Sequence, residues 1–309
     1  MVHGVSLLRN GRLHLVNEDG MPAEAIDPWD IHGTTDAING DLLFYPNPTA
    51  LVHGFKYDPA ADDRDNPHKR TYPEWRGHIG TPCFGFGWYS VPGGIGGGRS
   101  AFRYARSILE AWANGKRSTY KYAWQLAEDT GPVLGVTLDA LANPKHGNRP
   151  KGFSWDIVCH SLGSRVVLSA LLDFPHIPVR RVLFLNGAAS CRLARVVAMK
   201  RPNVEFFNVV VKSDDVLCRL GKHFSGQGLG GQVIGYDGLT ILAPPNWTEF
   251  ILDSKEVRAW GLNNGFDLQG DNPHSVADHW YSFHYEPNWK LWRYILRGED
   301  LSGIPTTRF

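Results

Sequence analysis

The run Trp155-Asp156-Ile157-Val158-Cys159-His160-Ser161-Leu162-Gly163-Ser164-Arg165-Val166-Val167-Leu168 carries an apolar strand straight into a serine and out into an amphipathic helix. A serine on so sharp a strand-to-helix turn has strained backbone angles, and its hydroxyl is held out at the carboxyl edge of a sheet. Those are the conditions for a nucleophile in acyl transfer. The residues two before and two after such a serine must be small. Gly163 meets the second requirement, and Cys159 stands at the first, where the G-x-S-x-G pattern has glycine. Cysteine is small enough to fit. Leu162 opens the helix, so its backbone N–H is expected to point toward a developing oxyanion. His160 adjoins the serine, but that place on the turn points away from the hydroxyl, and it is read as structural.

Upstream, Thr49-Ala50-Leu51-Val52-His53-Gly54-Phe55-Lys56 is a short apolar strand ending in His-Gly. The glycine lets the backbone approach a reacting carbonyl, and the N–H of Phe55 is the candidate second oxyanion donor beside that of Leu162. Two other signals are set aside. Pro92-Gly93-Gly94-Ile95-Gly96-Gly97-Gly98-Arg99 fits neither glycine-rich phosphate pattern and is read as a loop. Asp58, Asp62, Asp63, Asp65 and His68 crowd one segment at a spacing that fits no calcium loop, so a solvated loop is preferred to a metal site.

Val52-His53-Gly54-Phe55 together with Cys159-His160-Ser161-Leu162-Gly163 resembles the oxyanion loop and nucleophile elbow of the alpha/beta-hydrolase superfamily. His-Ser-Leu-Gly is similar to the lipase and esterase versions. The resemblance covers residue 45 or so onward and implies triad members in the chain order Ser, acid, His. The implied acid lies just past the next-to-last strand, where Lys212-Ser213-Asp214-Asp215-Val216-Leu217 stands. Asp214 is the better match and Asp215 the runner-up. The implied histidine precedes the final helix, within Asp271–His284, which offers His274, His279 and His284. His279 is favoured, because its His-x-x-x-aromatic context resembles the superfamily's histidine loop.

The resemblance thus implies Ser161, Asp214 and His279 as a triad, with Phe55 and Leu162 N–H groups as the oxyanion hole. No metal or other cofactor is needed, and the implied partner is a small-molecule ester. Thioester or amide hydrolysis and acyl transfer to another acceptor are rival chemistries for the same residues. A catalytically silent binding protein of the same fold is the rival of another class.

The elements that must hold these residues follow from periodicity. Short apolar runs alternate with helix-length amphipathic segments, which is the texture of βαβ units around a parallel sheet. Strands are expected at Ala50–His53, Phe84–Tyr89, Trp155–Cys159, Val182–Asn186 and Val204–Val211. Helices are expected at Phe102–Ala113, Tyr120–Leu141, Leu162–Leu172 and Trp289–Leu296, with Gly131-Pro132 kinking the second or ending it early. Residues 1–40, with turn signals at Asn10-Gly11 and Asp19-Gly20, read as a β-hairpin extension. Segments 56–81 and 221–287 read as long loops and possible cap elements, which at that length are functional or carry some structure of their own. Periodicity thus gives an α/β fold class, and the resemblance implies an alpha/beta-hydrolase fold, with helices on both faces of a mostly parallel sheet. All 309 residues are expected in one such domain.

Composition narrows the partners. Lys+Arg (32) and Asp+Glu (31) leave a formal charge of +1, so no basic excess argues for nucleic acid or an anionic membrane surface. No run approaches the roughly 18 apolar residues of a membrane-spanning helix. The start carries neither a basic n-region nor a long apolar run. Cys83, Cys159, Cys191 and Cys218 form no C-x-x-C pair and are read as reduced thiols, so a cytoplasmic location is expected.

Overall fold

In the computed structural model the described residues are 4–27, 42, 44–90, 119–143, 149–221, 232–239, 243–270 and 278–306. The expected helix at Phe102–Ala113 and the glycine-rich Pro92–Arg99 lie outside them. The strands are β1 (Gly4–Leu7), β2 (Leu13–Val16), β3 (Pro22–Ile26), β4 (Thr49–Val52), β5 (Cys83–Trp88), β6 (Trp155–His160), β7 (Val179–Leu185), β8 (Glu205–Val210) and β9 (Trp247–Ile251). They form one sheet in the order β3-β2-β1-β5-β4-β6-β7-β8-β9. Only the β1–β2 and β2–β3 pairs are antiparallel. The rest of the ladder is parallel.

Successive side chains of a strand face opposite sides of a sheet, and here both sides are apolar. Ile157 and Cys159 of β6, Phe184 of β7 and Phe206 of β8 enter one core, with Val166 and Leu168. Val158, Leu183, Leu185 and Phe207 enter the other, with Trp75, Trp289 and Trp292. The first core is covered by α2 (Thr119–Ala142), α3 (Gly163–Asp173) and α4 (Cys191–Lys200). The second is covered by α1 (Thr71–Ile79), α5 (Lys255–Asn263) and α7 (Asn288–Arg297), while α6 (Tyr281–His284) is a single turn. The molecule is thus α/β, with helices on both faces of a mostly parallel sheet. No helix among the described residues is long and apolar enough to cross a membrane.

Four expectations need correction. The amino-terminal segment is more than a hairpin: β1 pairs in parallel with β5, which makes β1–β3 part of the main sheet. Segment 56–81 contains α1, whose Tyr72, Trp75 and Ile79 form a buried stripe behind an Asp- and Pro-rich lead-in. Segment 221–287 contains β9 and α5. Glu249 in the middle of β9 hides that strand's apolar pattern. Its buried Oε2 accepts from Asn208 Nδ2 (2.8 Å), the Leu239 N–H (2.9 Å) and Trp247 Nε1 (3.1 Å). A carboxylate so bonded can sit in a core.

The fourth correction concerns one of the two outcomes expected at Pro132, an early end: α2 runs on through Pro132 to Ala142. A proline inside a helix costs about 3 kcal/mol. Beyond it Leu134, Leu138 and Leu141 are all fully buried, and each such side chain contributes roughly 1.5–3 kcal/mol. Burial outweighs the missing hydrogen bond.

Gly131 makes that contact close. A Cβ there would stand 2.4 Å from Ser169 Cβ and 2.9 Å from the Ala170 nitrogen on α3. Glycine to alanine inside a helix ordinarily stabilises by roughly 0.5–1 kcal/mol. Gly131→Ala is expected to do the opposite, costing about 1–3 kcal/mol through overpacking. Urea unfolding measures the sign, and a stabilised variant would mean that α2 and α3 are not packed this closely.

Candidate active site

β6 ends at His160 and α3 begins at Gly163, which leaves two residues to reverse the chain. Ser161 does so with φ at 51°, in the left-handed region. The strained backbone is bonded in place. The Ser161 N–H donates to the Leu185 carbonyl at 3.1 Å. Its own carbonyl accepts from the Ala188 N–H at 2.9 Å and from Ser164 Oγ at 2.7 Å. Gly163 is required by the same crowding, since a Cβ there would lie 2.5 Å from the carbonyl oxygens of both Val52 and His53. Cys159, at the opposite small position, is fully buried, its Sγ 3.7 Å from the Leu183 carbonyl of β7.

β4 lies beside β6 with Val52 opposite Cys159, so the chain leaving β4 passes over the Ser161 turn. A Cβ on Gly54 would come within 2.7 Å of Ser161 Cβ. His53 shapes this passage. Its Nε2 accepts from the Trp88 N–H at 2.9 Å. Nδ1 therefore holds the proton and donates to the Gly54 carbonyl at 2.8 Å. Burial pushes the His53 pKa down to about 3. Phe55 follows, its ring packed on the first core, and Leu162 is buried at the entry to α3.

Asp214 lies past the end of β8, on the loop into a π-helical turn (Leu217–Gly221). His279 lies in the 3₁₀ turn Asp278–Trp280, before the last helices. The two meet over Ser161. His279 Nδ1 is 2.7 Å from Asp214 Oδ2, and His279 Nε2 is 2.8 Å from Ser161 Oγ. A carboxylate only accepts, so Nδ1 carries the ring proton and Nε2 is left to accept from the serine hydroxyl. Relative exposure is 2% for Ser161, 3% for His279 and 0% for Asp214. These bonds run through a nearly dry site, where each counts for more than in water.

The alternative candidates stand elsewhere. Asp215 is exposed and pairs with Arg219 one turn on, at 3.6 Å. His284 is exposed and lies 3.4 Å from Glu74. His274 is outside the described residues. Of the acidic segment, Asp62 pairs with Lys69, and buried His68 meets Ser6 Oγ at 3.1 Å. Among the described residues, no three His, Cys, Asp or Glu side chains are grouped so as to hold a metal ion. Trp280 stands beside His279, ring centroids 5.2 Å apart, and Lys56 Nζ lies 5.8 Å from the centre of the Trp280 ring. The other carboxyl-terminal tryptophans pack in the cores or on Phe266.

Sequence reasoning missed Asn186. It follows β7 with φ at 47°, and its Nδ2 donates to Asp214 Oδ2 at 2.9 Å. The Leu217 N–H donates to Oδ1 at 2.9 Å. Asp214 thus receives three donors. Asparagine suits the place because its short polar side chain tolerates left-handed backbone better than most. One asparagine at a strand end carries no sequence signal of this role.

Asn186→Gly is expected to lose the bond to a charged group, worth about 1.5–3 kcal/mol. Asn186→Ala should be worse by up to about 1 kcal/mol, since alanine is strained at that φ. Denaturant unfolding of the two variants checks the order, and alanine equal to glycine would remove the backbone from the explanation.

His53 also makes stability depend on pH. Its folded value, about 3, lies below the ordinary 6.5, so the unfolded chain takes up the proton first. Stability is complete above pH 6.5 and is lost as pH falls from there toward 3, by about 1.4 kcal/mol per pH unit. Buried His68 and His160, also held well below the ordinary value by burial, add slope of the same sign. Unfolding midpoints at pH 7 and pH 5 measure this. His53→Asn should flatten the dependence, and an equal slope in that variant would exclude His53 as its source.

The chain matches no protein-family model, no curated protein and no solved structure.

Proposed function

We propose that this chain is a serine hydrolase with the alpha/beta-hydrolase fold, cleaving carboxylic esters through an acyl-enzyme intermediate. One observation carries the reading: His279 bridges Asp214 and Ser161 at 2.7 and 2.8 Å, with the serine on a left-handed turn between strand and helix. The order Ser161, Asp214, His279 and the loops that bear them support the fold reading, as do the parallel strands around β6.

In the proposed reaction His279 Nε2 takes the proton of Ser161 Oγ as the oxygen attacks the ester carbonyl. Asp214 holds the Nδ1–H tautomer and stabilises the imidazolium. The N–H groups of Phe55 and Leu162 receive the oxyanion. The imidazolium then gives its proton to the leaving alcohol. Water, deprotonated by the same nitrogen, splits the acyl-serine to release the acid.

Ser161→Ala is expected to reduce hydrolysis of p-nitrophenyl esters on the order of 10⁴-fold or more and to abolish labelling by a fluorophosphonate. Its thermal transition should stay nearly unchanged. Asp214→Asn should lower kcat by about 10⁴-fold through the wrong histidine tautomer, while Asp215→Asn remains close to wild type. Labelling that persists in Ser161→Ala would place the nucleophile elsewhere. A wild type that is neither labelled nor active on any acyl chain length would favour the silent binding protein.

A further inference from the structure

His160 is the last residue of β6, and its side chain is 2% exposed. Its Nε2 lies 2.9 Å from the backbone carbonyl oxygen of His279. A carbonyl only accepts, so Nε2 carries the proton and donates. The other edge of the ring faces the strand end that leaves β4. A Cβ on Gly54 would come within 3.1 Å of His160 Nδ1 and 2.9 Å of the His160 carbonyl oxygen. The ring also packs 4.7 Å from that of His279 and edge-on to Phe283, again 4.7 Å between centroids. One side chain therefore touches three segments far apart in the chain: the Ser161 turn, the Gly54 passage and the His279 turn.

His279 needs such a hold. It sits in a 3₁₀ turn of three residues, which by itself fixes position poorly. The bond from His160 Nε2 ties its backbone to the end of a central strand, one residue from the serine it must reach.

We infer that His160 is a positioning residue for the proposed hydrolysis: its Nε2–H, bonded to the His279 carbonyl, sets the place of the base over Ser161. The inference rests on the serine-hydrolase reading for its effect on turnover, but not for its effect on the geometry of His279. Burial and the neighbouring His279 and His284 hold the His160 pKa well below the ordinary value. The ring stays neutral and keeps one nitrogen free of a proton. His160 thus moves no proton in the proposed reaction and acts through its hold on the His279 backbone.

Glutamine and asparagine test this as a pair. Both are neutral amides, but the glutamine nitrogen reaches the place of Nε2, whereas the asparagine nitrogen reaches only that of Nδ1. A misplacement near 1 Å in an active site can cost about 10²-fold. His160→Asn is therefore expected to lose about 10²-fold in kcat, with KM within about 3-fold of wild type. His160→Gln should recover at least 10-fold of that loss. The low-field proton resonance of His279 Nδ1–H, bonded to Asp214, should broaden or shift in His160→Asn and return in His160→Gln. In the wild type, nitrogen NMR of the histidines should find the His160 proton on Nε2.

A proton on Nδ1 would overturn the inference with no variant needed. Equal kcat in the two variants would overturn it as well, as would an unchanged His279 resonance in His160→Asn. A wild type that is inactive and unlabelled overturns the hydrolase reading instead, and the resonance and tautomer measurements still decide the role of His160.

Discussion

Ser161 holds its backbone at φ 51°, a conformation that costs a residue with a Cβ about 1–2 kcal/mol. The cost is met by the neighbours that surround the turn. Leu185 takes its N–H, and Ala188 and Ser164 bond its carbonyl. On the far side, the Val52 and His53 carbonyls press so closely on Gly163 that no side chain fits there. The turn is thus fixed by the strands on either side of β6, and it in turn fixes where Oγ stands. A relaxed backbone at 161 would carry the hydroxyl away from His279 whatever the positions of the other two side chains.

The buried histidines follow from that constraint. His53, His160 and His279 share the edge of the sheet above the turn, and each bonds a different acceptor through a ring nitrogen. His53 has its proton on Nδ1, for Gly54. His160 has its proton on Nε2, for the His279 carbonyl. His279 has its proton on Nδ1, for Asp214, which leaves Nε2 toward Ser161. A charge on His53 or His160 would need solvation that burial denies, so both behave as rigid polar struts. Three residues of one type serve differently because each faces a different acceptor.

Much of this was legible in the amino-acid sequence where local pattern and local geometry coincide. β6 is an apolar run and α3 a helix-length segment rich in Val, Leu and Ala, and the turn between them is too short to hide. Asp214 and His279 were legible only through a family resemblance: the chain order it implies for both, and for His279 a His-x-x-x-aromatic context as well. α1 and β9 were not legible, because a lead-in rich in Asp and Pro and a buried Glu249 broke the apolar pattern by which such elements are read. Pro132 misled for a related reason: its local cost is real, but the buried leucines beyond it lie on a face whose partner, α3, no window of sequence displays. Asn186 and the bond from His160 to the His279 carbonyl are relations between distant residues, and composition and spacing carry no trace of them.

Those distant relations have a common origin in the topology. In a parallel sheet the carboxyl ends of the strands share one edge, and each strand leaves a loop there. The exit from β4 carries Gly54 and Phe55, that from β6 carries Ser161, that from β7 carries Asn186 and that from β8 carries Asp214. Neighbouring strands stand about 4.8 Å apart, so residues more than a hundred positions apart come within reach of a single side chain. His279 differs from the others, because a 3₁₀ turn beyond β9 and α5, rather than a strand end, carries it. Its side-chain bond to Asp214 and its backbone bond from His160 bring it to the edge that the strands supply to the rest. His279 is therefore the member of the site whose position depends most on hydrogen bonds and least on the sheet.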